Sequence, residues 1–417
     1  MHRDGNASPL KEDERRELAE VVKSMAADAL RVLAFAYRDM PAGTTVNTEG
    51  LEHDLVFVGA VGMIDPPKDG VGEAIATCQK AGIRAVMITG DHELTARAIA
   101  QDIGLIGPQE TVLTGAHLDT MNDQELEQSV QSTAVYARTS PEHKVQILNA
   151  LQRMGHIVAM TGDGVNDAPA LKSANIGVSM GIKGIDVTRE ASDMILADDN
   201  FATIVKAIEE GRGIYDNIRK FIRLLLSTNL DEILLVAGAT ILGLPLPILP
   251  IQLLWVNVVS DGLPALALSF DPYDKDIMSR KPRNPKEGLL HGMVLFIAAA
   301  AVVDFLAEMV LLVYWKHTGF ASVERLRTLI FTSTALFEVF FVFNCRSESH
   351  SVFRSNLLEN KPLLLAAATS VILQLAVVYL PFLQPLFQTV PLSASDWLIV
   401  LAIAASGLLI LPELFMR

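Results

Sequence analysis

The spacing of hydrophobic positions changes near residue 224. Before it, short apolar segments alternate with stretches whose apolar positions recur every three or four residues, which is the pattern of an α/β protein with a parallel sheet. After it, apolar runs of about twenty residues recur, the length that a helix needs to cross a bilayer. A large soluble core is a poor alternative, because the second half has too little polar surface to cover one. The six runs cover about residues 224–244, 248–270, 290–315, 326–344, 363–383 and 397–415.

The first half alternates strands with amphipathic helices. This order predicts a doubly wound parallel sheet, in which ligands lie at the carboxyl ends of the strands. Predicted strands are Leu55–Met63, Ala85–Thr89, Ala134–Ala137, Ile157–Met160, Ile176–Met180 and Met194–Leu196, and predicted helices lie near 70–81, 92–103, 141–154 and 201–210.

Basic residues orient the predicted spans. Lys and Arg cluster in the connections 271–289 and 345–362 and just before the first span, and such segments are typically cytoplasmic. The connection 316–327 is the exception, with Lys316, Arg325 and Arg327. Residues 1–20 contain no apolar core of signal-peptide length. We therefore expect a multi-pass membrane protein with its soluble part and Arg417 in the cytoplasm, in the plasma membrane of a prokaryote.

The amino-acid composition limits which classes of ligand and partner the protein is expected to bind. The formal net charge of −14 and the lack of a basic stripe argue against nucleic acid. The two cysteines, Cys78 and Cys345, have no zinc-ligand spacing and are not expected to pair in a reducing compartment.

Polar motifs follow several of the predicted strands. Asp65-Pro66-Pro67 follows the first, Thr89-Gly90-Asp91 the second, Arg138 and Lys144 the third, and Thr161 to Asp167 the fourth. Because carboxyl ends of parallel strands share one edge of a sheet, these groups are expected to converge.

Each group suits phosphate chemistry. Thr89 and the amides of Gly90 and Asp91 can hold phosphoryl oxygens, and Lys144 can neutralise them. Asp163 is the expected magnesium ligand, and Asn166 with Asp167, which lies near the magnesium, would position the phosphoryl group. A capped glycine turn explains the glycines but not the Asn166-Asp167 pair. Lys144 considered alone, without the other three strand ends, is more typical of a solvated helix surface.

Polar side chains also interrupt the apolar runs. Asn229 and Glu232 share a helix face in the first run, Asn257, Ser260 and Asp261 repeat the spacing in the second, and Glu338 lies in the fourth. A charged side chain at the bilayer centre costs roughly 2.5–3.5 kcal/mol on insertion scales, so these groups require partners or a ligand. An all-oxygen set suits a hard cation such as calcium. Gly262 and Pro264, which follow the second set, should loosen that helix and free carbonyl groups.

Other intramembrane acids are less informative. Asp304 and Glu308 lie four residues apart in the third run, and a structural pairing or a proton-accessible groove is the favoured interpretation. Asp231 can equally face a neighbouring helix, water or the ion.

Several segments resemble the P-type ATPases, and within them the calcium-transporting members. These are ALRVLAFAYR at 29–38, DPPK at 65–68, ITGD at 88–91, ARTSPEHK at 137–144, TGDGVNDAPAL at 161–171, LADDNFATIV at 196–205, STNLDEI at 227–233 and WVNVVSDGLPALAL at 255–268.

The resemblance implies a haloacid-dehalogenase-like phosphorylation domain, an aspartyl-phosphate cycle, ATP and Mg²⁺ as substrate and cofactor, and Ca²⁺ as the transported ion. It implies ATP contacts for Arg31 and Arg138. It implies ion ligands at Asn229, Glu232, Asn257, Ser260, Asp261 and Glu338, although Ser260 stands where threonine is usual and Asp231 is an additional acid.

The implied domains are the end of a nucleotide-binding domain at 1–50, the phosphorylation domain at 51–215 and the transmembrane domain at 216–417. A nearly continuous helix from about Phe201 into the first span would couple the last two. Gly211 and Gly213 would form its hinge, unless they merely weaken the entry to that helix.

The family's Asp-Lys-Thr-Gly motif, which carries the phosphorylated aspartate, and its Thr-Gly-Glu loop do not occur in the 417 residues. We therefore expect a portion of a pump whose phosphorylation domain lacks its nucleophile strand, and which forms no acid-stable phosphoenzyme alone. A missing pump segment on another polypeptide would then be a partner, beside the lipid bilayer, ATP and the cation.

Alternatives remain open. A pump of sodium, protons or magnesium would share most of these motifs, and a non-catalytic membrane remnant or partner of a split pump would share all of them. A small-molecule phosphatase would not need the apolar runs.

Overall fold

The computed structural model describes residues 2–3, 6–40, 53–64, 66–348, 350–354 and 356–415. Asp65 of the Asp-Pro-Pro-Lys motif and the terminal Arg417 lie outside the described residues, as does much of the segment that follows ALRVLAFAYR. The chain forms two compact units, which are Met1–Ile208 with Met278–Pro285, and Glu209–Ile277 with Lys286–Arg417. The predicted boundaries near 50 and 215 stay predictions.

The described residues of the first unit form ten short strands. They are β1 His2–Arg3, β2 Asn6–Ala7, β3 Arg31–Tyr37, β4 Val56–Met63, β5 Met87–Ile88, β6 Val112–Thr114, β7 Val135–Ala137, β8 Ala159–Gly162, β9 Ile176–Met180 and β10 Met194–Leu196. Two three-stranded parallel sheets, ordered β5-β7-β6 and β10-β9-β8, are the centre of the unit. The prediction of one doubly wound sheet was therefore wrong in extent, since the described parallel strands divide into two sheets.

The first predicted strand does not join either parallel sheet. β4 pairs antiparallel with β3, from Arg31 opposite Met63 to Tyr37 opposite Val56. A parallel pairing needs a crossover element, whereas an antiparallel pair needs only a returning loop, and β3 is the preceding apolar strand along the chain. The apolar sequence of β4 alone did not show that this strand pairs with β3.

Eight helices accompany these strands in the described part of the unit. They are α1 Glu12–Ala27, α2 Val71–Lys80, α3 Glu93–Asp102, α4 Gly115–Leu118, α5 Asp123–Ser132, α6 Pro141–Arg153, α7 Ala168–Ser173 and α8 Asp186–Glu190. The helices predicted near 70–81, 92–103 and 141–154 are confirmed as α2, α3 and α6. Local sequence explains their ends, since Pro141 occupies the first turn of α6 and Ser140 accepts a hydrogen bond from the His143 amide at 3.4 Å.

Helix packing buries the apolar faces of the β5-β7-β6 sheet. Ile75 of α2 and Ala96 of α3 pack with Val135 on one face, while Tyr136 packs with Ile147 of α6 on the other. Successive strand residues point to opposite faces, so helices cover both faces of this sheet.

The second unit is helical. Its elements are α9 Phe201–Ile241, which begins before the unit boundary, α10 Pro250–Trp255, a π-helix Val256–Asp261, α11 Gly262–Leu268, α12 Val294–Thr318, α13 Val323–Phe341, α14 Lys361–Tyr379, α15 Gln384–Phe387 and α16 Ala394–Ser406. Short 3₁₀ turns cover Val165–Asp167 in the first unit and Ile277–Ser279, Asn344–Arg346, Leu357–Glu359, Gly407–Leu409 and Pro412–Leu414. The predicted continuous helix from Phe201 is confirmed as α9.

Among the described residues, five helices are long and apolar enough to cross a membrane. They correspond to the first five predicted runs. The sixth run contains the shorter apolar helix Ala394–Leu409, so the predicted count of six is not confirmed. Regular α-helix ends at Ser406, and Pro412 follows within two turns, which shortens the helix because proline cannot continue the hydrogen-bond pattern.

α13 lies at the centre of this unit, since 83% of the most apolar 18-residue stretch of this helix is buried by the rest of the protein. Leu329 and Leu336 of α13 pack with Leu235 of α9, Leu312 of α12 and Val400 of α16 in the largest apolar cluster. Polar side chains on α9, α12 and α13 are therefore enclosed by neighbouring helices.

Candidate functional site

In the first unit, the glycine-rich turn after β8 is organised around Asp167. This residue is only 6% exposed. One carboxylate oxygen, Oδ2, accepts hydrogen bonds from the amides of Asp163 and Gly164, both at 3.2 Å. The other, Oδ1, lies 2.5 Å from Nζ of Lys144. Both oxygens of Asp167 are thus occupied by groups of the chain itself.

Lys144 reaches this turn from α6, the helix that follows β7. Its partner Asp167 follows β8, so the ion pair joins the ends of two strands that belong to different sheets. The predicted convergence of Lys144 with the Asp163–Asp167 turn is confirmed by this contact. Burial of the pair makes it more than a surface salt bridge, because solvent screening is weak at that site.

Thr89 and Asp91 form a second turn, after β5. The Thr89 hydroxyl donates to Asp91 Oδ2 at 2.8 Å, and the Asp91 amide donates back to Thr89 Oγ1 at 3.1 Å. The amide of Arg138 donates to the Asp91 carbonyl at 2.9 Å. In the described part of the unit, no hydrogen bond joins Thr89 to Lys144 or Asp167. The Thr89 hydroxyl must therefore leave Asp91 before it can serve a phosphoryl oxygen.

A cavity of about 590 Å³ adjoins the Thr89-Gly90-Asp91 turn. Arg31, Gly90, Asp91 and Arg138 line it together with residues of α1 and α3. The two arginines predicted to contact ATP thus face the same space, although they lie in distant parts of the sequence. Two guanidinium groups beside backbone amides suit a polyanionic ligand.

The donor set around Asp163 fits a magnesium ion. The Asp163 side chain is exposed, whereas Asp167 is committed to Lys144 and to the loop amides. A hard carboxylate oxygen that is open to solvent is what Mg²⁺ requires, because Mg²⁺ retains water and phosphate ligands. Asp163 would therefore hold the metal, and Asp167 would hold the loop. Asn166 is also exposed and has no observed role.

Two loops after β9 and β10 meet at Asp199. Its carboxylate accepts hydrogen bonds from the amides of Ile182 at 2.9 Å and Lys183 at 2.8 Å, and Lys68 donates to its carbonyl at 2.8 Å. Desolvation alone would raise the pKa of Asp199, but these amides and the Lys68 charge outweigh it and lower the pKa below its ordinary value. The Lys of the Asp-Pro-Pro-Lys motif thus stabilises a loop.

In the second unit, Glu232 of α9 is bound by Asn257 of the π-helix. The Asn257 amide nitrogen lies 2.9 and 3.0 Å from the two Glu232 oxygens, and also donates to the Leu253 carbonyl at 3.0 Å. Asn229, one turn before Glu232, donates its amide to the Leu225 carbonyl at 2.7 Å. That bond leaves the Asn229 side-chain oxygen available as a ligand.

Asp261 and Glu338 face each other between the π-helix and α13. Thr228 of α9 donates to Asp261 Oδ2 at 2.7 Å. The Asp261 carboxyl group is within hydrogen-bond reach of the Glu338 carboxyl group. A hydrogen bond between them forms only if one of the two groups is protonated. As carboxylates, both oxygens of Glu338 and one of Asp261 have no hydrogen-bond partner, and neither does the buried Ser260 hydroxyl. Unpaired buried oxygens of this kind need a cation or a proton.

The backbone at Asn257, Ser260 and Asp261 is π-helical. Such turns occur frequently at functional sites, because they leave the regular α-helical bonding pattern. The turn ends at Gly262, and Pro264 follows. The expectation that the helix is loosened here is confirmed, and the distortion lies at the ligands themselves.

The structure also brings together polar groups whose contacts sequence reasoning did not identify: Thr228 and Thr334 were not singled out, and Asp231, Asp304 and Glu308 were named but not placed together. Thr228 contacts Asp261, and Thr334 of α13 donates to Glu308 Oε1 at 2.5 Å. Asp231, Asp304 and Glu308 each offer a ligand oxygen within 4.8 Å of the other two. The available signal was helical spacing, since Thr228 and Thr334 lie four residues before Glu232 and Glu338.

The sequence of this chain is similar to those of known protein families. Residues 11–175 match the model of haloacid dehalogenase-like hydrolases, and residues 245–415 match the model described as cation transporting ATPase, C-terminus. Calcium-transporting ATPase of Bacillus subtilis is 46% identical over 413 residues, 97% of this chain and 46% of the relative. The chain belongs to the P-type cation-transporting ATPases.

The relatives of this P-type ATPase chain also include eukaryotic proteins. Calcium-transporting ATPase 1 of Yarrowia lipolytica is 44% identical over 99% of this chain and 44% of its own length. Calcium-transporting ATPase type 2C member 1 of Pongo abelii is 41% identical over 94% of this chain and 42% of its own length. The chain is an integral membrane protein, but the expected prokaryotic plasma membrane is not supported, because eukaryotic relatives are nearly as similar.

This P-type ATPase chain spans slightly less than half the length of the curated relatives it matches. The likeness covers both units. The soluble motifs and the intramembrane carboxylates therefore belong to one protein family.

Proposed function

We propose that this chain provides the magnesium-phosphate and ion-binding parts of an ATP-driven pump that transports Ca²⁺ across a membrane through an aspartyl-phosphate cycle. The observation that carries the proposal is the cluster of Glu232, Asp261 and Glu338, which are buried on three elements of an apolar helical unit. The relatives that are named calcium-transporting ATPases support the choice of ion.

The ion would bind among oxygen atoms only. Glu232, Asp261 and Glu338 supply carboxylates, Asn229 and Asn257 supply amide oxygens, and Ser260 supplies a hydroxyl. Ca²⁺ takes six to eight oxygen ligands, about the number that this set offers. For Asn257 to coordinate an ion, its side chain must turn its oxygen inward and release Glu232. Ion binding would therefore exchange the Asn257–Glu232 bond for two metal contacts.

Release of the ion leaves buried carboxylates that need another compensating charge. Asp261 and Glu338 already lie close enough to share a proton. Proton uptake after Ca²⁺ release is thus part of the proposal, and protons would be carried in the opposite direction.

In the first unit, Asp163 would hold Mg²⁺, which supplies charge neutralisation at the phosphoryl group. Lys144 adds a positive charge beside it and is kept in place by Asp167. Thr89, Gly90 and Asp91 would receive phosphoryl oxygens, and Arg31 and Arg138 would contact ATP. The family's acceptor aspartate is not among the 417 residues, so phosphoryl transfer is proposed only where a segment that bears it is supplied.

The ion site is tested by equilibrium binding of ⁴⁵Ca²⁺ to the chain in lipid nanodiscs. Asp261→Asn should abolish the tightest Ca²⁺ binding, because Asp261 is the central carboxylate, and Glu338→Gln should weaken it by at least tenfold. Exposed Glu324, at the start of α13, provides the control variant Glu324→Gln, which should bind as the unchanged chain does.

Competition with Na⁺ and Mg²⁺ separates the alternatives. Displacement of Ca²⁺ by millimolar Na⁺ or Mg²⁺ would point to a pump of another cation. The assigned site would be refuted if a folded Asp261→Asn variant bound as many Ca²⁺ ions, with the same affinities, as the unchanged chain.

A further inference from the structure

Three carboxylates that the proposed Ca²⁺ site does not use meet in the middle of the helical unit. Asp231 lies on α9, and Asp304 and Glu308 lie on one face of α12. Each provides an oxygen within 4.8 Å of the other two. Among the described residues, this is the one group of three or more acidic, histidine or cysteine side chains with that spacing.

Burial makes this cluster different from a solvated acidic patch. Asp231 and Asp304 are 1% exposed and Glu308 is 0% exposed. Asp231 Oδ1, Asp304 Oδ1 and Glu308 Oε2 have no hydrogen-bond partner. Of the ion pairs between described residues, none includes any of the three. Unpartnered carboxylate oxygens in such an interior need a bound cation or a proton.

Thr334 on α13 adds a fourth oxygen. Its hydroxyl lies 2.5 Å from Glu308 Oε1 and 3.0 Å from the Ile330 carbonyl. One hydroxyl carries one proton, so it can satisfy only one of these two acceptors fully. When it donates to its own helix, its lone pairs remain available to a metal ion.

The dimensions suit a calcium-sized ion. Oxygens that coordinate Ca²⁺ at 2.3–2.6 Å lie at most about 5 Å from one another, and the three carboxylate oxygens meet that limit. Three carboxylates supply up to six oxygens and Thr334 a seventh, which is within the usual Ca²⁺ range. Neither nitrogen nor sulfur takes part, so a soft metal is disfavoured.

We propose that Asp231, Asp304, Glu308 and Thr334 form a second binding site for a hard divalent cation, separate from the site of Glu232, Asp261 and Glu338. The neighbouring positions Asp231 and Glu232 then serve different ions. Asp231 turns toward α12 and Glu232 toward Asn257. The inference rests on the positions of α9, α12 and α13 and does not require that the chain transports calcium.

The test is the number of Ca²⁺ ions bound per chain in nanodiscs, measured with ⁴⁵Ca²⁺ at saturation. Glu308→Gln and Asp304→Asn, which preserve side-chain size, should each remove one ion. They should leave the ion that depends on Asp261. That retained ion shows that the variant has folded. Asp261→Asn should retain the second ion, and the Asp261→Asn/Glu308→Gln double variant should bind none.

Equal Ca²⁺ numbers in the unchanged chain, Glu308→Gln and Asp304→Asn would overturn the second site and leave protons as its only occupants. Complete loss of binding in Asp261→Asn alone would overturn it as well, since the two sites would not be separate. If Asp261→Asn changed nothing while Glu308→Gln removed an ion, the second site would stand and the proposed transport site would fail.

Discussion

At the scale of single residues, Gly162 shows how closely the turn after β8 is packed. A Cβ atom at this position would lie 2.7 Å from Cγ and Oδ2 of Asp167, and real side chains do not approach so closely. Asp167 cannot retreat easily, because Lys144 and two loop amides hold its carboxylate. The glycine is therefore required by close approach, since its own backbone is in a regular strand.

Gly162→Ala is expected to lower the free energy of unfolding of the first unit by about 1–3 kcal/mol through overpacking. Gly164→Ala is the matched control, because its nearest neighbour beyond the adjacent residues would be Asp167 Oδ2 at an ordinary 3.8 Å. Thermal unfolding in detergent measures both. Equal effects of the two substitutions would contradict the packing argument.

Asp199 gives the first unit a sensitivity to acid. Because the folded chain lowers the pKa of Asp199, its carboxylate stabilises the fold while ionised. This contribution is complete above the ordinary aspartate pKa and is lost as the pH falls through the lower folded value, hence below about pH 4.

Asp199→Asn should therefore lower the unfolding temperature at pH 7, and the difference from the unchanged chain should narrow as the pH falls below about 4. Exposed Asp102 allows the control variant Asp102→Asn, for which the corresponding difference should be small throughout. A gap for Asp199→Asn that stays constant from pH 7 to the lowest pH at which the chain remains folded would show that the charge is not responsible.

At the scale of elements, α9 accommodates two glycines with different surroundings. Gly211 is exposed, and a Cβ atom added there would meet no atom within 4 Å. Gly213 is buried, and a Cβ there would overlap the ring of Tyr273, whose hydroxyl donates to Glu210 at 2.6 Å. The helix is unbroken at both positions, so Gly213 is explained by the approach of Tyr273. A hinge at Gly211 or Gly213 stays a prediction.

Gly211→Ala should stabilise the helix by about 0.5–1 kcal/mol, because alanine restricts the unfolded chain and meets no neighbour. Gly213→Ala should destabilise the helix, because the Tyr273 ring must turn away and its hydroxyl then loses the hydrogen bond to Glu210. Unfolding temperatures of the two variants should therefore move in opposite directions. Stabilisation by both would show that the Tyr273 contact is unimportant.

At the scale of the whole molecule, the second unit is tied together by a buried network around Asp271. Its carboxylate lies 2.7 Å from Lys220 Nζ and 2.9 Å from Arg346 Nε, and accepts from Asn360 at 2.8 Å. These partners come from α9, from the turn after α13 and from the residue before α14. One carboxylate thus joins segments that are far apart in the sequence.

Asp271→Ala should destabilise the second unit by about 3–5 kcal/mol, because it leaves two buried cations without their counter-charge. Glu359→Gln, at an exposed position, should change the free energy of unfolding by no more than about 0.5 kcal/mol. Thermal unfolding of the chain in nanodiscs compares the two. A loss for Asp271→Ala as small as that of the control would mean that water or lipid headgroups replace the carboxylate.

Much of this architecture could be predicted because its signals are local. Five membrane-length helices, the helices α2, α3 and α6, and the strands β9 and β10 follow from hydrophobic spacing over a few turns or alternate residues. The contact of Lys144 with Asp167 was also predicted, although the shared sheet edge on which that prediction was based is absent, because β7 and β8 belong to different sheets. Each of these is determined by the composition and order of neighbouring residues.

Tertiary structure alone decided which elements meet. The antiparallel partner of β4, the division of the parallel strands into two sheets, and the cluster of Asp231, Asp304 and Glu308 depend on contacts between distant segments. Hydrophobic spacing shows that a face is buried, but it does not show which other face covers it. Asp231 and Glu232 are consecutive residues and therefore point in different directions around α9. Which of them faces α12 depends on the rotation of α9 about its axis, and that rotation is set by the packing of side chains along the whole helix.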